Sequence, residues 1–199
     1  MLKRLVLFSQ PSPDIFKKLK AVLFPEYLTE KIFAYIPSEG DSVEANAKFT
    51  PIWQDFAKSC GAKFVFIDNS KRGEEATVER EKLLSANVVM ITGGNTFRLL
   101  NHLRLSGLDK AIEKLWQKGG VVLAGFSAGA IVLTPSIRIA KTGDINELEL
   151  KDLTGLGVVD FEVWPHYEET QNDELEKFKR EEGAEIKTVR NEEMMVIDK

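Results

Sequence analysis

A short stretch in the middle of the chain constrains the fold more than any other. Residues 121–130 read Val-Val-Leu-Ala-Gly-Phe-Ser-Ala-Gly-Ala, which is an apolar run, a serine between two glycines, and then small residues. A serine at the tip of a strand-to-helix turn adopts a strained backbone, and the flanking glycines let the strand and the helix pass closely. We therefore predict a nucleophile elbow with Ser127 at its tip. From this motif alone, an ordinary turn in which Ser127 only caps the helix stays open as an alternative.

Apolar runs alternate with helical patterns up to residue 133. This alternation predicts an α/β fold with a doubly wound, mostly parallel sheet and helices on both faces. The expected strands cover residues 5–8, 32–36, 63–67, 88–92 and 121–126, and the expected helices cover 16–23, 49–59, 77–86, 97–105 and 108–116. Ligands of such sheets bind beyond the carboxyl ends of the strands, so Gly93, Gly94 and Ser127 are expected to share a crevice.

The pattern changes after Pro135. A hairpin or surface excursion is expected first, and a strand over 158–163 then leads to Trp-Pro-His at 164–166. The acidic segment 168–182 is expected to form a solvated helix, and short strands are expected at 186–189 and 194–197.

Size and composition exclude several classes of function. With 199 residues and no linker, the chain is expected to form a single domain over residues 1–199. A net charge of −4 argues against nucleic acid as a partner, and no apolar run is long enough to predict a membrane span. The single cysteine, Cys60, excludes an internal disulfide and is expected to be a buried structural thiol. We expect a cytoplasmic protein without a metal or a cofactor.

A serine hydroxyl becomes a good nucleophile only when a base takes its proton, and histidine is the usual base near neutral pH. The chain has two histidines. His102 falls on the polar side of a predicted helix and is expected to be an exposed surface residue. His166 follows a strand and a proline, as in a fixed active-site loop, and is the better candidate. A surface histidine with a structural hydrogen bond is the alternative for His166.

Three blocks of the sequence carry a resemblance to a known family. They resemble, in order and spacing, the signature blocks of the peptidase E family of serine peptidases. The blocks are Gly-Gly-Asn-Thr-Phe at 93–97, Gly-Phe-Ser-Ala-Gly-Ala at 125–130 and Pro-His-Tyr at 165–167. The fold of that family is similar to the class I glutamine amidotransferase domain, with serine at the position where the amidotransferases carry cysteine.

The resemblance implies a role for each matching residue. Ser127 would be the nucleophile and His166 the general base. The backbone N–H groups of Gly94 and Ala128 would form the oxyanion hole. The residues that it implies for substrate binding are Gly93 and Asn95.

The third member of the triad stays open at the level of sequence. Members of the family place an acid either shortly after the elbow helix, where Asp144 is the nearest carboxylate, or near the C-terminus. The C-terminal alignment falls on Asn191, with Glu192 adjacent. Glu168 is a further candidate, because the related amidotransferases carry an H-x-E pattern that His-Tyr-Glu at 166–168 reproduces. We favour Glu192, with Asp144 second.

The resemblance also implies a substrate class, namely dipeptides or short peptides cleaved through an acyl-enzyme. Peptidase E prefers an N-terminal aspartate, which is recognised by an arginine shortly after the histidine. In this chain Glu168 and Glu169 follow the histidine, and the first basic residue is Lys177. We therefore expect no strict aspartate specificity and better turnover of neutral or basic N-terminal residues. The expected partner is a small peptide, and the expected assembly is a monomer or a homodimer.

Two other classes of function remain alternatives. An α/β-hydrolase-like esterase uses the same elbow with the order serine, acid, histidine, which Ser127, Asp144 or Asp160, and His166 satisfy. A catalytically silent homologue that binds a peptide or another small molecule would keep the crevice without the chemistry.

Overall fold

A central six-stranded sheet organises the protein. We describe it from a computed structural model that covers residues 2–28 and 30–199. The strands are β1 (Arg4–Phe8), β2 (Ile32–Ile36), β3 (Lys63–Phe66), β4 (Val88–Ile91), β5 (Val122–Phe126), β6 (Glu162–Pro165), β7 (Ile186–Val189) and β8 (Met194–Asp198). The order in the sheet is β3-β2-β4-β5-β1-β8, and all neighbours are parallel except β1 and β8. Strands β6 and β7 form a separate parallel pair.

The helices lie between the strands. They are α1 (Pro13–Leu23), α2 (Val43–Ser59), α3 (Gly73–Leu84), α4 (Thr96–Ser106), α5 (Leu108–Lys118), α6 (Ala128–Val132) and α7 (Asn172–Glu182), with 3₁₀ helices at Arg138–Thr142 and Glu169–Gln171. Over the described ranges, none of these helices has both the length and the apolar character needed to cross a membrane.

The sheet separates two apolar layers, because successive side chains of a strand point to opposite faces. In β1, Leu5 and Leu7 pack with residues of α3, α4, α5 and α6, whereas Val6 and Phe8 pack with residues of α1 and α2. Helices therefore cover both faces of a mostly parallel sheet. The predicted α/β fold class is confirmed.

Several local predictions need correction. Helix α2 begins at Val43 rather than near residue 49, because the Ser42 side chain accepts a hydrogen bond from the Ala45 N–H and caps the helix there. Of the two alternatives for the segment after Pro135, the structure shows the surface excursion: it contains a 3₁₀ helix and one isolated bridge, between Ser136 and Thr154, and residues 141–143 are exposed. Strand β6 starts four residues later than expected.

The connections after four strands carry the candidate site. Ser9 follows β1, Gly93 and Gly94 follow β4, Ser127 follows β5 and His166 follows β6. Strands β4, β5 and β1 are parallel neighbours, so their carboxyl ends lie at one edge of the sheet. This is the edge at which parallel α/β sheets bind their ligands.

Candidate active site

The turn between β5 and α6 holds Ser127 in a strained conformation. Its φ is 51° and its ψ is −119°, a region that residues with a Cβ rarely adopt. A Cβ on Gly125 would lie 2.3 Å from the Gly129 carbonyl oxygen, and one on Gly129 would lie 2.1 Å from the Ile91 oxygen. Only glycine permits this close packing. The Ser127 N–H donates to the Phe8 oxygen at 3.0 Å, which joins the turn to β1.

The structure brings His166 to Ser127. The distance from His166 Nε2 to Ser127 Oγ is 3.0 Å, which is a hydrogen bond. His166 also has a positive φ of 58°, so its backbone requires local support.

Ser9 supplies that support, and the sequence did not single it out. The His166 N–H donates to Ser9 Oγ at 2.9 Å, and Ser9 Oγ donates to the Val189 oxygen at 2.8 Å. The Ser9 side chain is fully buried, and its hydrogen bond to the Val189 oxygen is shielded from water. Through them the end of β1 connects the loop after β6 to the end of β7.

Asn191 makes the contact that we expected from Glu192. Asn191 Oδ1 lies 2.7 Å from His166 Nδ1. A carbonyl oxygen cannot donate a hydrogen bond, so this contact requires the proton on Nδ1. The lone pair of Nε2 then faces the hydroxyl of Ser127. The structure thus places an amide rather than a carboxylate at the far side of the ring.

Asp144 has a different contact. Its Oδ2 accepts from the Thr96 N–H at 2.8 Å and from Thr96 Oγ1 at 2.5 Å, at the start of α4. The serine, acid, histidine order of an esterase would require Asp144 to contact His166 Nδ1. In the structure Asn191 makes that contact instead. The predicted substrate-binding residue Asn95 caps the same helix, where its side chain accepts from the Arg98 N–H at 3.0 Å.

The two acidic residues that follow in the loop after His166, Glu168 and Glu169, both have partners within the protein. Glu168 and Gln171 form a capping box at the start of the 3₁₀ helix Glu169–Gln171. Glu169 forms an ion pair with Arg190 at 2.6 Å, next to Asn191. The charge of Glu169 is therefore balanced by a base that the sequence did not suggest.

The two predicted oxyanion-hole positions belong to the turns beside Ser127. Gly94 has a φ of 145°, and a Cβ there would lie 2.1 Å from Ser38 Oγ. The Cβ position of the preceding Gly93 is 3.0 Å from the Ser127 Cβ. Ala128 is the first residue of α6, so its N–H has no acceptor within its own helix.

Two cavities border both Ser127 and His166. The larger cavity has a volume of about 620 Å³ and extends from Gly93 and Gly94 towards aromatic side chains of α1 and α2. The smaller cavity has about 240 Å³ and is bordered by Asp144. The site can therefore hold a group on each side of the serine.

The other histidine and the cysteine lie elsewhere. His102 is half-buried rather than exposed, and burial lowers its pKa. The Nδ1 atom of His102 is buried without a hydrogen-bond partner in the described part of the chain. Cys60 is buried, and burial raises the pKa of its thiol, as in an inert structural cysteine. Neither residue borders the two cavities just described.

Comparison with known proteins supports a peptidase. An uncharacterized peptidase of Listeria monocytogenes is 32% identical over 161 residues, which cover 77% of this chain and 75% of the relative. Peptidase E of Shigella flexneri is 29% identical over 122 residues, which cover 61% of this chain and 52% of that protein.

Solved structures show the same fold. A crystal structure of a provisionally assigned peptidase E from Listeria monocytogenes has a TM-score of 0.75 at 28% identity and covers 100% of this chain and 98% of its own. A peptidase from an acI-B1 actinobacterium, at 21% identity, shares the fold with a TM-score of 0.74 over 99% of this chain and 84% of its own. The sequence model of peptidase family S51 matches residues 12–199, and the chain therefore belongs to this family of serine-type peptidases.

Proposed function

We propose that the protein hydrolyses dipeptides or short peptides through an acyl-enzyme formed at Ser127. The observation that carries this proposal is the 3.0 Å contact between Ser127 Oγ and His166 Nε2. A nucleophile within hydrogen-bond distance of a base, which a third residue orients in turn, is the arrangement that acyl transfer requires.

Ser127 Oγ attacks the carbonyl carbon of the scissile bond while its proton passes to His166 Nε2. The carbonyl oxygen becomes negatively charged, and the N–H groups of Gly94 and Ala128 donate hydrogen bonds to it. Fixed donors of this kind stabilise the transition state more than the substrate, which lowers the barrier.

Asn191 keeps the imidazole in the productive tautomer. Its Oδ1 accepts from Nδ1–H before and after Nε2 takes the proton. An amide dipole stabilises the resulting imidazolium less than a carboxylate would, so we propose an orienting role for Asn191 and a modest rate for the enzyme.

The acyl-enzyme then forms and breaks down. His166 Nε2 gives its proton to the leaving amine, and the carbon–nitrogen bond breaks. Water next enters the site, gives a proton to Nε2 and attacks the ester carbon. The bond from the carbonyl carbon to Ser127 Oγ then breaks, Nε2 returns its proton to Oγ, and the carboxylic acid product is released.

The expected specificity is for neutral or basic N-terminal residues rather than for aspartate. Glu168 and Glu169 follow His166, where aspartate recognition in peptidase E uses an arginine. Arg190 lies beside Glu169, but its guanidinium already forms an ion pair with the Glu169 carboxylate, with Nη2 2.6 Å from Oε1. A substrate carboxylate would have to compete with Glu169 for Arg190.

The direct test is hydrolysis of a set of dipeptides by the wild type, Ser127→Ala and His166→Ala. We expect both variants to lose about 10³-fold or more in kcat/KM while keeping the wild-type unfolding transition. Ser106→Ala and His102→Ala are the matched controls, because neither residue borders the two cavities. Activity of Ser127→Ala above about a hundredth of the wild-type rate contradicts the proposal.

A second comparison separates a peptidase from an esterase. Free dipeptides, N-acetylated dipeptides and simple acyl esters are offered to the same preparation. Hydrolysis of the free dipeptides supports the proposal. Hydrolysis of the esters alone supports the esterase alternative, and binding without turnover of any substrate supports a silent homologue.

A further inference from the structure

The larger cavity has an aromatic lining that the proposed chemistry does not use. It begins at Ser127 and His166, where the substrate carbonyl would lie, and continues between α1, α2 and the sheet. Its apolar walls are made by Phe16, Tyr35, Phe49, Ile52, Trp53 and Phe126.

Ring-to-ring packing holds these walls in place. The Trp53 ring stacks on Phe126 with centroids 5.9 Å apart, and the Phe16 ring lies 5.2 Å from Trp53. Tyr35 is almost fully buried, and burial raises its pKa to about 12, so its phenol stays neutral at physiological pH. The aromatic wall of the cavity is therefore preformed and uncharged.

Two residues at the cavity have apolar surface open to solvent. Phe49 is 45% exposed and Ile52 is 47% exposed, and both belong to α2. Exposed apolar side chains that gather around a concave site, rather than being scattered singly, indicate contact with a ligand.

The charges around the cavity disfavour an acidic occupant. Among its described lining residues there is no lysine or arginine, and Glu39 is the only carboxylate. Arg98 approaches Glu39 at 3.6 Å, so the charge of Glu39 is partly balanced by a residue outside the cavity. An aspartate or glutamate side chain would lose water there without meeting a lysine or arginine in the lining, since the nearby Lys48 ammonium lies over the Phe49 ring, 5.1 Å from its centroid.

We propose that the larger cavity binds a large aromatic side chain of the peptide substrate, on one side of the scissile bond. This inference rests on the proposed peptidase function and names its substrate class. The volume of about 620 Å³ has ample room for a phenylalanine or tyrosine side chain. The smaller cavity, of about 240 Å³, then receives the residue on the other side.

The kinetic test compares Phe-Ala, Ala-Phe, Ala-Ala and Asp-Ala. We expect one of the two aromatic dipeptides to exceed Ala-Ala by about 10- to 100-fold in kcat/KM, because burial of a phenyl ring stabilises the bound state by that factor. The favoured order tells which side of the bond enters the cavity. Equal values for Phe-Ala, Ala-Phe and Ala-Ala, or a preference for Asp-Ala, overturn the inference.

A binding test separates this inference from the proposed function. Calorimetric titration of Ser127→Ala with the same dipeptides needs no turnover. Binding of an aromatic dipeptide at least about tenfold tighter than Ala-Ala supports the cavity assignment even if the wild type hydrolyses nothing. If the wild type hydrolyses dipeptides but Ser127→Ala binds aromatic dipeptides and Ala-Ala with equal affinity, the proposed peptidase function is supported and the aromatic preference is overturned.

A matched pair of variants locates the effect. Ile52→Asn puts an amide into the wall of the cavity, whereas Val78→Asn changes another β-branched helical residue, 51% exposed, that does not border the cavity. We expect the ratio of aromatic to Ala-Ala turnover to fall several-fold in Ile52→Asn and to stay at the wild-type value in Val78→Asn. An unchanged ratio in Ile52→Asn, or the same fall in both variants, overturns the assignment.

Discussion

Asn191 Oδ1 lies 2.7 Å from His166 Nδ1, on the side of the ring that faces away from Ser127. The contact fixes the tautomer of the imidazole without placing a formal charge beside it. A carboxylate at this point would both orient the ring and stabilise its protonated form, whereas an amide provides the first effect and little of the second. This difference can be tested at a single side chain.

Asn191→Asp is expected to raise kcat by about tenfold or more, because a carboxylate stabilises the imidazolium that forms during acylation. The same charge favours the protonated ring in the free enzyme, so the acidic limb of the kcat/KM profile should move to higher pH. Rates measured across the pH range check both effects. A slower enzyme with an unmoved acidic limb would contradict the orienting role.

Removal of the amide gives the complementary test. Asn191→Leu keeps a similar volume without the acceptor and should lower kcat by about 10²-fold or more, with little change in KM. Glu192→Gln is the matched control and should be nearly silent, because Asn191 makes the contact to the ring. A large loss of kcat in Glu192→Gln would indicate that Glu192, rather than Asn191, orients His166.

Ser9 is expected to act as a positioning residue. Ser9→Ala leaves the His166 N–H and the Val189 oxygen without their bonds to this hydroxyl, which should lower the free energy of unfolding by about 1–3 kcal/mol. Displacement of the ring should reduce kcat by about 10- to 100-fold with KM little changed.

The control for Ser9 is a second buried serine. Within the part of the chain that the structure describes, the Ser106 hydroxyl donates only to the His102 and Leu103 carbonyl oxygens of its own helix, so Ser106→Ala should keep the wild-type kcat. A loss of stability without a loss of kcat in Ser9→Ala would show that Ser9 has a structural role alone.

Local chemistry explains which parts of the site the sequence could predict. The elbow could be recognised because Gly125 and Gly129 are required within four residues of each other on either side of Ser127. The third residue could not be fixed in the same way. Its identity depends on the turn between β7 and β8, where a shift of one position exchanges Asn191 for Glu192, and no side-chain pattern sets that register.

Long-range contacts explain the features that the sequence did not indicate. Ser9 lies 157 residues before His166 and 180 before Val189, so nothing around it in the chain suggests a bridge between them. Trp53 and Phe126 belong to α2 and to the end of β5, and only the fold places them around one cavity. The start of α2 could have been predicted from the sequence, since Ser42 is a favourable N-cap residue.

Gly94 tests the oxyanion hole. In Gly94→Ala the new Cβ would lie 2.1 Å from Ser38 Oγ at a φ of 145°, so the backbone must shift and carry its N–H away from the substrate oxygen. Loss of one oxyanion donor costs about 10²- to 10³-fold in kcat. Gly157→Ala is the control, because its φ is also positive, at 61°, but nothing lies within 4 Å. Equal kcat losses in both variants would mean that general strain, not the oxyanion contact, is responsible.

His102 is expected to make stability depend on pH. Burial lowers its pKa below the ordinary value of 6.5, while Asp41 and Glu39 oppose the shift and Arg72 and Arg98 add to it. The unfolded chain then binds the proton more readily, so the free energy of unfolding should fall as the pH drops below about 6.5. Urea unfolding at several pH values should show a smaller fall in His102→Gln. Parallel curves for the two proteins would contradict this account.

Covalent labelling shows directly whether Ser127 is the nucleophile. The wild type is treated with a fluorophosphonate probe, and the modified peptide is identified by mass spectrometry, with Ser127→Ala and Ser106→Ala treated in parallel. We expect one adduct, on Ser127, which is absent in Ser127→Ala, present in Ser106→Ala and much slower to form in His166→Ala. No adduct on the wild type under conditions that label a known serine peptidase, or an adduct on another serine, would contradict Ser127 as the nucleophile.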